Sequence, residues 1–352
     1  MTMKNYLDSL DEKIKAYFKI LCEEFPQFLL DYINTPEMLK QAGISVSCGT
    51  YYSKMYDQMW YSSLDHSVAV ALIIWNFTKD KKQTLSGLFH DIATPVFKHT
   101  VDFMNKDYEK QESTEELTTK KIMESKEIMK LLNKDGIKVE EVCDYHIYPI
   151  ADNDTPMLSS DRLEYTLSNG LGATEKIWDL EDIEKIYKNI EVQKNENGIV
   201  ELGFKDKEPA LQFVHTMSQL SCLYRRDKTI FSMQFLADIM KKMSEKNMIG
   251  VNDLYTLTEQ EIIDKIENCS ESNISECFKK WRNATTINTS DICPEKVYFV
   301  NIEKNKVRYI NPLVRTKIGF ERLGDISEQA NQDIKKTMDY KISKYIFMDF
   351  EF

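Results

Sequence analysis

Four residues spread along this chain carry the side chains that a metal-activated reaction of water needs. They are His66, the adjacent pair His90-Asp91, and Asp161 in Ser160-Asp161-Arg162-Leu163-Glu164-Tyr165. Histidine is scarce here, five in 352 residues, so its placement is informative. Imidazole nitrogens with carboxylate oxygens make a borderline-hard donor set suited to Fe, Mn, Ni, Co or Zn. An ion so held gives a nucleophilic water at neutral pH. A lone histidine on an apolar helix is more often a core residue, and a His-Asp dipeptide is common by chance. The four therefore carry weight through their surroundings, and the leading reading is a metal-dependent hydrolase.

The elements that must position them read as mostly helix, with apolar residues at i, i+3, i+4 spacing and few breakers, 11 Gly and 8 Pro. Ser9 and Glu12 have capping-box spacing and predict a helix with Ile14, Tyr17, Phe18, Leu21 and Phe25 on one side, ending before Pro26. Pro36 opens a short helix that ends near Gly43. Ser62 to Lys79 predicts a helix that carries His66 and buries Val68, Leu72, Ile73 and Trp75. Gln83 to Ile92 predicts another, stopped by Pro95, with His90-Asp91 at its C-terminal end. Neighbours on a helix diverge by about 100°, so they share one ion only where the helix end frays. Helical patterning continues over Thr114–Leu132, Glu140–Tyr145 and Pro209–Lys246, and Thr258 with Glu261 again has capping-box spacing. Two stretches predict hairpins: Ile190–Phe204 around Asn197-Gly198, and Val297–Ile310. The end, Ile326–Phe352, reads as a helix followed by an apolar strand.

Composition narrows the partners. The net charge of −11 and pI of about 5.2 argue against a nucleic-acid footprint, which needs a basic face. They leave room for a small basic pocket. A hydrophobic fraction of 42% supports a real core. No apolar run is long enough for a membrane span, and the N-terminal residues read as charged and amphipathic rather than as a signal peptide. Seven scattered cysteines without a Cys-x-x-Cys pair suggest reduced thiols in a cytoplasm.

The order His66, His90-Asp91, Asp161 resembles the HD superfamily of metal-dependent phosphohydrolases. His90-Asp91-Ile92-Ala93-Thr94-Pro95-Val96-Phe97-Lys98-His99 is similar to the H-D-I-G-H-P-P-F-G-H segment of deoxynucleoside triphosphate triphosphohydrolases, and Asp161-Arg162-Leu163-Glu164-Tyr165 to their D-R-L-D-Y segment. Weaker likeness continues at Leu254–Glu261 and at Arg322-Leu323 with Asp325-Ile326-Ser327. The resemblance implies His66, His90, Asp91 and Asp161 as ligands of a divalent transition metal, Mn, Fe, Ni, Co or Zn, with Mg a further option. It implies attack of a metal-bound water on phosphorus, with Asp91 and Asp161 orienting that water and His99 facing the phosphates as an acid. The family's histidines at the positions of Thr94 and of the Tyr108–Ser113 stretch are absent, and Ser63 stands where arginine is common. Gln111 or Glu112 is the nearest candidate acid in that stretch. His146 could line the pocket, hold a second metal, or sit on the surface, and His215 reads as core. Lys98, Arg162, Arg225, Arg226 and Lys228 are candidate phosphate-facing cations.

The expectation is a mostly α HD-domain helical bundle with small β-hairpins and a C-terminal α+β appendage. Residues 1–285 would form the core, with the metal site within 50–170, and 286–352 a small region packed on it. The expected activity is phosphohydrolysis of a small phosphorylated substrate, a nucleotide, by a cytoplasmic protein open to homodimerisation through hairpin edges. The alternative is a catalytically reduced HD protein that binds or senses nucleotides. Binding without turnover would separate the two.

Overall fold

Apolar runs punctuated by capping residues fold into helices that converge on the residues singled out above. The computed structural model describes residues 6–109 and 117–352. Helix α1 (Glu12–Leu21) starts at Asp11, whose carboxylate accepts the Lys13 N–H at 2.8 Å. Ser9, the expected cap, instead donates its hydroxyl to the Tyr6 carbonyl. Helix α2 (Ser63–Thr78) opens on a full capping box: Ser62 Oγ accepts from the Asp65 N–H at 3.0 Å, and Asp65 Oδ2 accepts from the Ser62 N–H at 2.9 Å. Every residue from Ser63 to Ile74 is buried, as in a central core helix, whereas Trp75, expected inside, is only half-buried. Helix α3 (Lys81–Phe89) is capped by Asp80, which accepts from the Lys82 and Gln83 N–H groups. It ends one residue before His90, earlier than the pattern predicts.

Gly87 lets α3 lie hard against α2. A methyl group at that position would meet Ile74 Cδ1 at 2.2 Å, well inside contact distance. The close approach brings the end of α3, and so His90, to the start of α2 and His66.

Beyond α4 (Thr100–Met104), the helix predicted over Thr114–Leu132 is Leu117–Glu124 followed by Lys126–Asp135, because Ser125 caps a new start by accepting from the Ile128 N–H. Residues 114–116 of that prediction fall outside the described residues. Glu140–Tyr145 holds only short 3-10 turns. Helix α5 (Ser160–Ser168) is capped by Ser159 and runs into a π-turn over Asn169–Ala173.

The first predicted hairpin is present as β1 (Ile190–Lys194) and β2 (Val200–Phe204), antiparallel, with Gly198 at φ 76° in the turn. The long helix predicted next is two, α6 (Lys207–Tyr224) and α7 (Asp227–Glu245), because Arg226 is extended (φ −63°, ψ 149°). Helix α8 (Glu259–Glu267) has the expected Thr258–Glu261 capping box, and α9 (Ser272–Asn283) follows.

The second predicted hairpin is not formed. After β3 (Asn288–Ser290), strand β4 (Tyr298–Val300) does not fold back on residues 305–310. The actual hairpin is β5 (Leu313–Thr316) with β6 (Gly319–Arg322), turning at Gly319, φ 138°. After α10 (Glu328–Asp339), strand β7 (Tyr345–Met348) lies between β3 and β4, antiparallel to both. Strand β5 joins β2 in parallel, giving a sheet of order β1-β2-β5-β6.

Among the described residues two large apolar clusters form most of the core, with a small third one at Val70, Ile74 and Ala151. One gathers Tyr17, Leu64, Leu85, Leu163 and Leu167 from the first half with Phe213. The other gathers Phe231, Phe235, Ile262 and Trp281 with Ile346 of β7. Residues Val96, Phe97, Val101 and Phe103, just after His90-Asp91, belong to the second cluster, so the chain crosses between the cores at this point.

Gly87→Val places three carbons against Ile74 and should cost about 1–3 kcal/mol, the usual penalty of overpacking. Ile74→Ala in the same chain should return part of it. An unchanged denaturant midpoint for Gly87→Val would show that α2 and α3 have room to spare.

Candidate metal centre

Three helix ends meet at the floor of a cavity of about 490 Å³. His66 lies in the first turn of α2, His90 follows the last residue of α3, and Asp161 lies in the first turn of α5. His66 Nε2 is 3.2 Å from His90 Nε2 and 3.1 Å from Asp161 Oδ1, and His90 Nε2 is 3.8 Å from that same oxygen. Ligands about 2.0–2.2 Å from a shared ion are spaced in this way.

Each ring is aimed by its second nitrogen. His90 Nδ1 is 2.7 Å from the Gly87 carbonyl, which can only accept, so Nε2 offers its lone pair to the cluster. His66 Nδ1 bonds Glu164 Oε2. Glu164 is fully buried one turn beyond Asp161 on α5. Its other oxygen accepts from Tyr61 at 2.7 Å and Tyr17 at 3.2 Å. Burial and the Glu164 charge push both phenols well above their ordinary pKa, so they remain donors. The Tyr145 ring stacks on His90 at 4.9 Å between centroids.

The electrostatics call for a cation. Burial opposes charge on His66, yet Glu164 and Asp161 flank the ring and push its pKa up to about 10. Burial raises Asp161, but the facing His66 outweighs it and holds the carboxyl at about 2. A positive charge therefore belongs between these two carboxylates, and a proton supplies it where an ion does not. Two oriented imidazoles and a carboxylate fit a divalent metal.

Asp91 points elsewhere. Its Oδ2 is 3.8 Å from His90 Nε2, but it is bound by Lys98 Nζ at 2.5 Å and Ser63 Oγ at 3.2 Å. Burial would raise this carboxyl, and Lys98, His90 and His66 together hold it well below the usual range. The described residues thus bring His66, His90 and Asp161 together as a possible metal-holding group, with Asp91 beside them in an ion pair.

The other sequence candidates divide. His99 lines the cavity with Nδ1 2.9 Å from the buried Asp102 carboxylate; burial lowers its pKa and Asp102 opposes that. His146 also lines the cavity, half-exposed, with Nδ1 2.9 Å from Asp144 and Nε2 3.5 Å from Asp152. His215 is a surface residue paired with Asp333 at 3.0 Å, contrary to the core expectation, because Phe213 and Met217 take the inner face of α6. Gln111 and Glu112 lie outside the described residues. Lys98, Arg162 and Arg226 line the cavity. Arg225 is buried against the Thr337 carbonyl, and Lys228 bonds the Met55 carbonyl at 2.6 Å. Sequence reasoning missed Glu164, Tyr61, Tyr17 and Tyr145. Only Glu164 carried a signal, three residues from Asp161 and so on the same helix face.

The loop bearing Lys98 and His99 is held from behind. Phe97 and Lys98 both adopt positive φ, 58° and 43°, which disfavours ordinary side chains. Glu259 Oε1 accepts the Phe97 N–H at 3.2 Å, the Leu254 carbonyl accepts the Val96 N–H at 2.8 Å, and Lys40 Nζ donates to the Thr94 carbonyl at 2.9 Å. Burial pushes the Glu259 carboxyl up to about 8.

No model of a known protein family matches this chain. The chain is 23% identical over 324 residues to the uncharacterized protein YdhJ of Bacillus subtilis, covering 88% of this chain and 94% of YdhJ. Its fold is similar to that of a hypothetical protein from Aquifex aeolicus, with a TM-score of 0.60 at 16% identity, covering 92% of this chain and 93% of the other. It is also similar to a phosphohydrolase from Bacteroides thetaiotaomicron, with a TM-score of 0.57 at 14% identity, covering 93% and 97%. Among the described residues no helix is long and apolar enough to cross a membrane.

Glu164→Ala strips Tyr17, Tyr61 and His66 of their acceptor in the core and should cost about 3–5 kcal/mol in chemical denaturation. A loss under about 1 kcal/mol would mean that this carboxylate does not organise the site. Glu259 gives a pH signature. Its folded pKa of about 8 lies above the ordinary 4.5, so its contribution is fully present below about pH 4.5 and lost as pH rises towards 8. Glu259→Gln, neutral throughout, should gain stability relative to the parent between pH 5 and pH 8. Parallel stability profiles for the two proteins would refute the shift.

Proposed function

We propose that this chain is a metal-dependent phosphohydrolase of the HD type, acting in the cytoplasm on a small phosphorylated substrate, a nucleotide. The observation that carries the reading is the convergence of two oriented imidazole Nε2 atoms and the Asp161 carboxylate at the floor of a cavity that also holds Lys98 and His99. The fold shared with a phosphohydrolase supports it, as does the HD-like order of the four residues in the sequence. Seven unpaired cysteines fit a reducing compartment.

A divalent ion bound by His66, His90 and Asp161, with Asp91 alongside, would supply an activated water and offset charge on the phosphoryl oxygens. The chain's own groups do the rest. Glu164 and the Gly87 carbonyl fix the two rings so that Nε2 faces inward. Lys98 Nζ, already at the edge of the cluster, offers a cationic donor to a phosphoryl oxygen. Asp91 and Asp161 orient the attacking water. His99, its Nδ1 tied to Asp102, keeps Nε2 for the leaving oxygen, and a bound anion favours its protonated form.

The test loads the purified protein with Mn, Co, Ni or Mg in turn and offers nucleoside mono-, di- and triphosphates, with elemental analysis and product identification. Asp161→Ala should remove both bound metal and turnover. His99→Ala should leave metal content unchanged and lower kcat by about 10²-fold or more; full activity in that variant would remove its role as acid. Tight nucleotide binding without product in any metal would overturn the enzyme reading in favour of a sensing one.

A further inference from the structure

Beside the cavity floor runs a segment that touches the elements carrying His66, His90 and Asp161. It starts at the 3-10 turn Tyr145–Ile147, capped by Asp144, whose carboxylate accepts the His146 N–H at 3.0 Å and lies 2.9 Å from His146 Nδ1. The Tyr148 N–H then donates to the Tyr145 carbonyl at 3.1 Å, and the Ala151 N–H to the Tyr148 carbonyl at 2.8 Å. At its far end the segment meets α5. The Ser160 N–H donates to the Ile150 carbonyl at 2.8 Å, and the Asp161 N–H to the Ala151 carbonyl at 3.2 Å. Its apolar side goes to α2, where Tyr145 and Tyr148 pack on the small cluster of Val70, Ile74 and Ala151.

Tyr145 is where this segment meets His90. The phenol ring stacks on the imidazole with centroids 4.9 Å apart and planes 30° from parallel, and both residues line the cavity. The Gly87 carbonyl, 2.7 Å from Nδ1, sets the direction in which the imidazole points. One hydrogen bond leaves the ring free to tilt about its own line, and a flat neighbour opposes that tilt. Stacking also has an electronic side. An imidazole that gives its lone pair to a cation becomes electron-poor, and the face of a phenol attracts electron-poor groups. The contact therefore favours the His90 ring with Nε2 engaged by a positive ion.

We propose that Tyr145 is a positioning residue of the metal centre: its stacked face holds the His90 imidazole in the orientation that binds the ion, braced by the same segment that holds Asp161. This rests on the reading of His66, His90 and Asp161 as metal-holding residues and is independent of which phosphate compound is cut.

The test titrates full-length parent, Tyr145→Phe, Tyr145→Leu and Tyr148→Leu with Co²⁺ after chelation. The readouts are affinity, the visible absorption of the bound ion, and the metal-induced rise in melting temperature. Tyr145→Leu keeps bulk without the flat face. It should bind Co²⁺ about tenfold or more weakly, the usual loss when a group that orients a ligating histidine is removed, and its bound-ion absorption should differ from the parent's. Tyr145→Phe keeps the face and should match the parent in both. Tyr148→Leu trims the same small cluster with the Tyr145–His90 stack in place, and it should bind Co²⁺ as the parent does. Each rise in melting temperature is taken against the same variant's chelated form, so a variant that melts early still gives its answer. Unchanged affinity in Tyr145→Leu, equal weakening in Tyr148→Leu, or a loss in Tyr145→Phe as large as in Tyr145→Leu would overturn the proposal while the metal reading stands. A parent that takes up no metal defeats the metal reading itself, and this proposal with it.

Discussion

A carboxylate sealed from water must be surrounded by hydrogen-bond donors, and Glu164 meets that demand by drawing in four parts of the chain. Tyr17 comes from α1, Tyr61 from the approach to α2, His66 from α2 itself, and Ser168 from Glu164's own helix. Burying an ion costs several kcal/mol before its partners are counted, so these contacts cannot be rearranged singly. The consequence reaches the site. With Glu164 behind His66 and Asp161 in front of it, the imidazole lies between two negative charges. The contacts around a buried carboxylate in the core thus orient the His66 ring on the cavity floor.

The second constraint is the crossing between the two apolar clusters. Helix α3 stops at Phe89, so His90 can turn inward while Asp91 swings towards Ser63 and Lys98. The following residues enter the other cluster through Val96, Phe97, Val101 and Phe103. Reaching it takes two consecutive left-handed residues, a cost of order 1–3 kcal/mol each, offset by the Glu259, Leu254 and Lys40 contacts. One core therefore supplies the imidazoles and the Asp161 carboxylate, and the other supplies Lys98 and His99. Any shift between the cores moves the second set relative to the first.

Much of this was legible in the sequence because it follows from local rules. The apolar period found α2, the Thr258–Glu261 spacing found the start of α8, and Asn197-Gly198 found the first hairpin. His66, His90 and Asp161 stood out because histidine is rare and the order of ligand types is specific. What was not legible depends on distant pairing. The partner of β4 is β7, near the end of the chain, so the alternating pattern over 297–310 predicts a hairpin that does not form. His215 has apolar neighbours at two positions, yet its own azimuth on α6 faces Asp333 and solvent. Asp91 sits next to His90 in sequence, and only the turn after α3 reveals that Lys98 pairs with it. Nothing local marks Gly87 as the residue that sets the distance between two helices.

The small strands matter for a similar reason. Gly203 of β2 is where a side chain would meet the Leu313 carbonyl at 2.9 Å, so glycine there lets β5 pair directly with the first hairpin. Arg322 of β6 then reaches the fully buried Glu201 of β2 at 2.8 Å, and the two hairpins are locked as one sheet. At its other end the connection into β5 starts from β4, which is held against α7 through β7 and through Tyr298, whose hydroxyl donates to Asp238 at 2.7 Å. Residues 301–312 are therefore fixed at both ends on different cores, and their path between those anchors runs along the cavity wall. The same separation of cores that splits Lys98 and His99 from His66, His90 and Asp161 also decides where residues 305–308 can stand. The geometry of the ligand pocket is a property of how the two cores are joined, and the residues nearest the floor set only part of it.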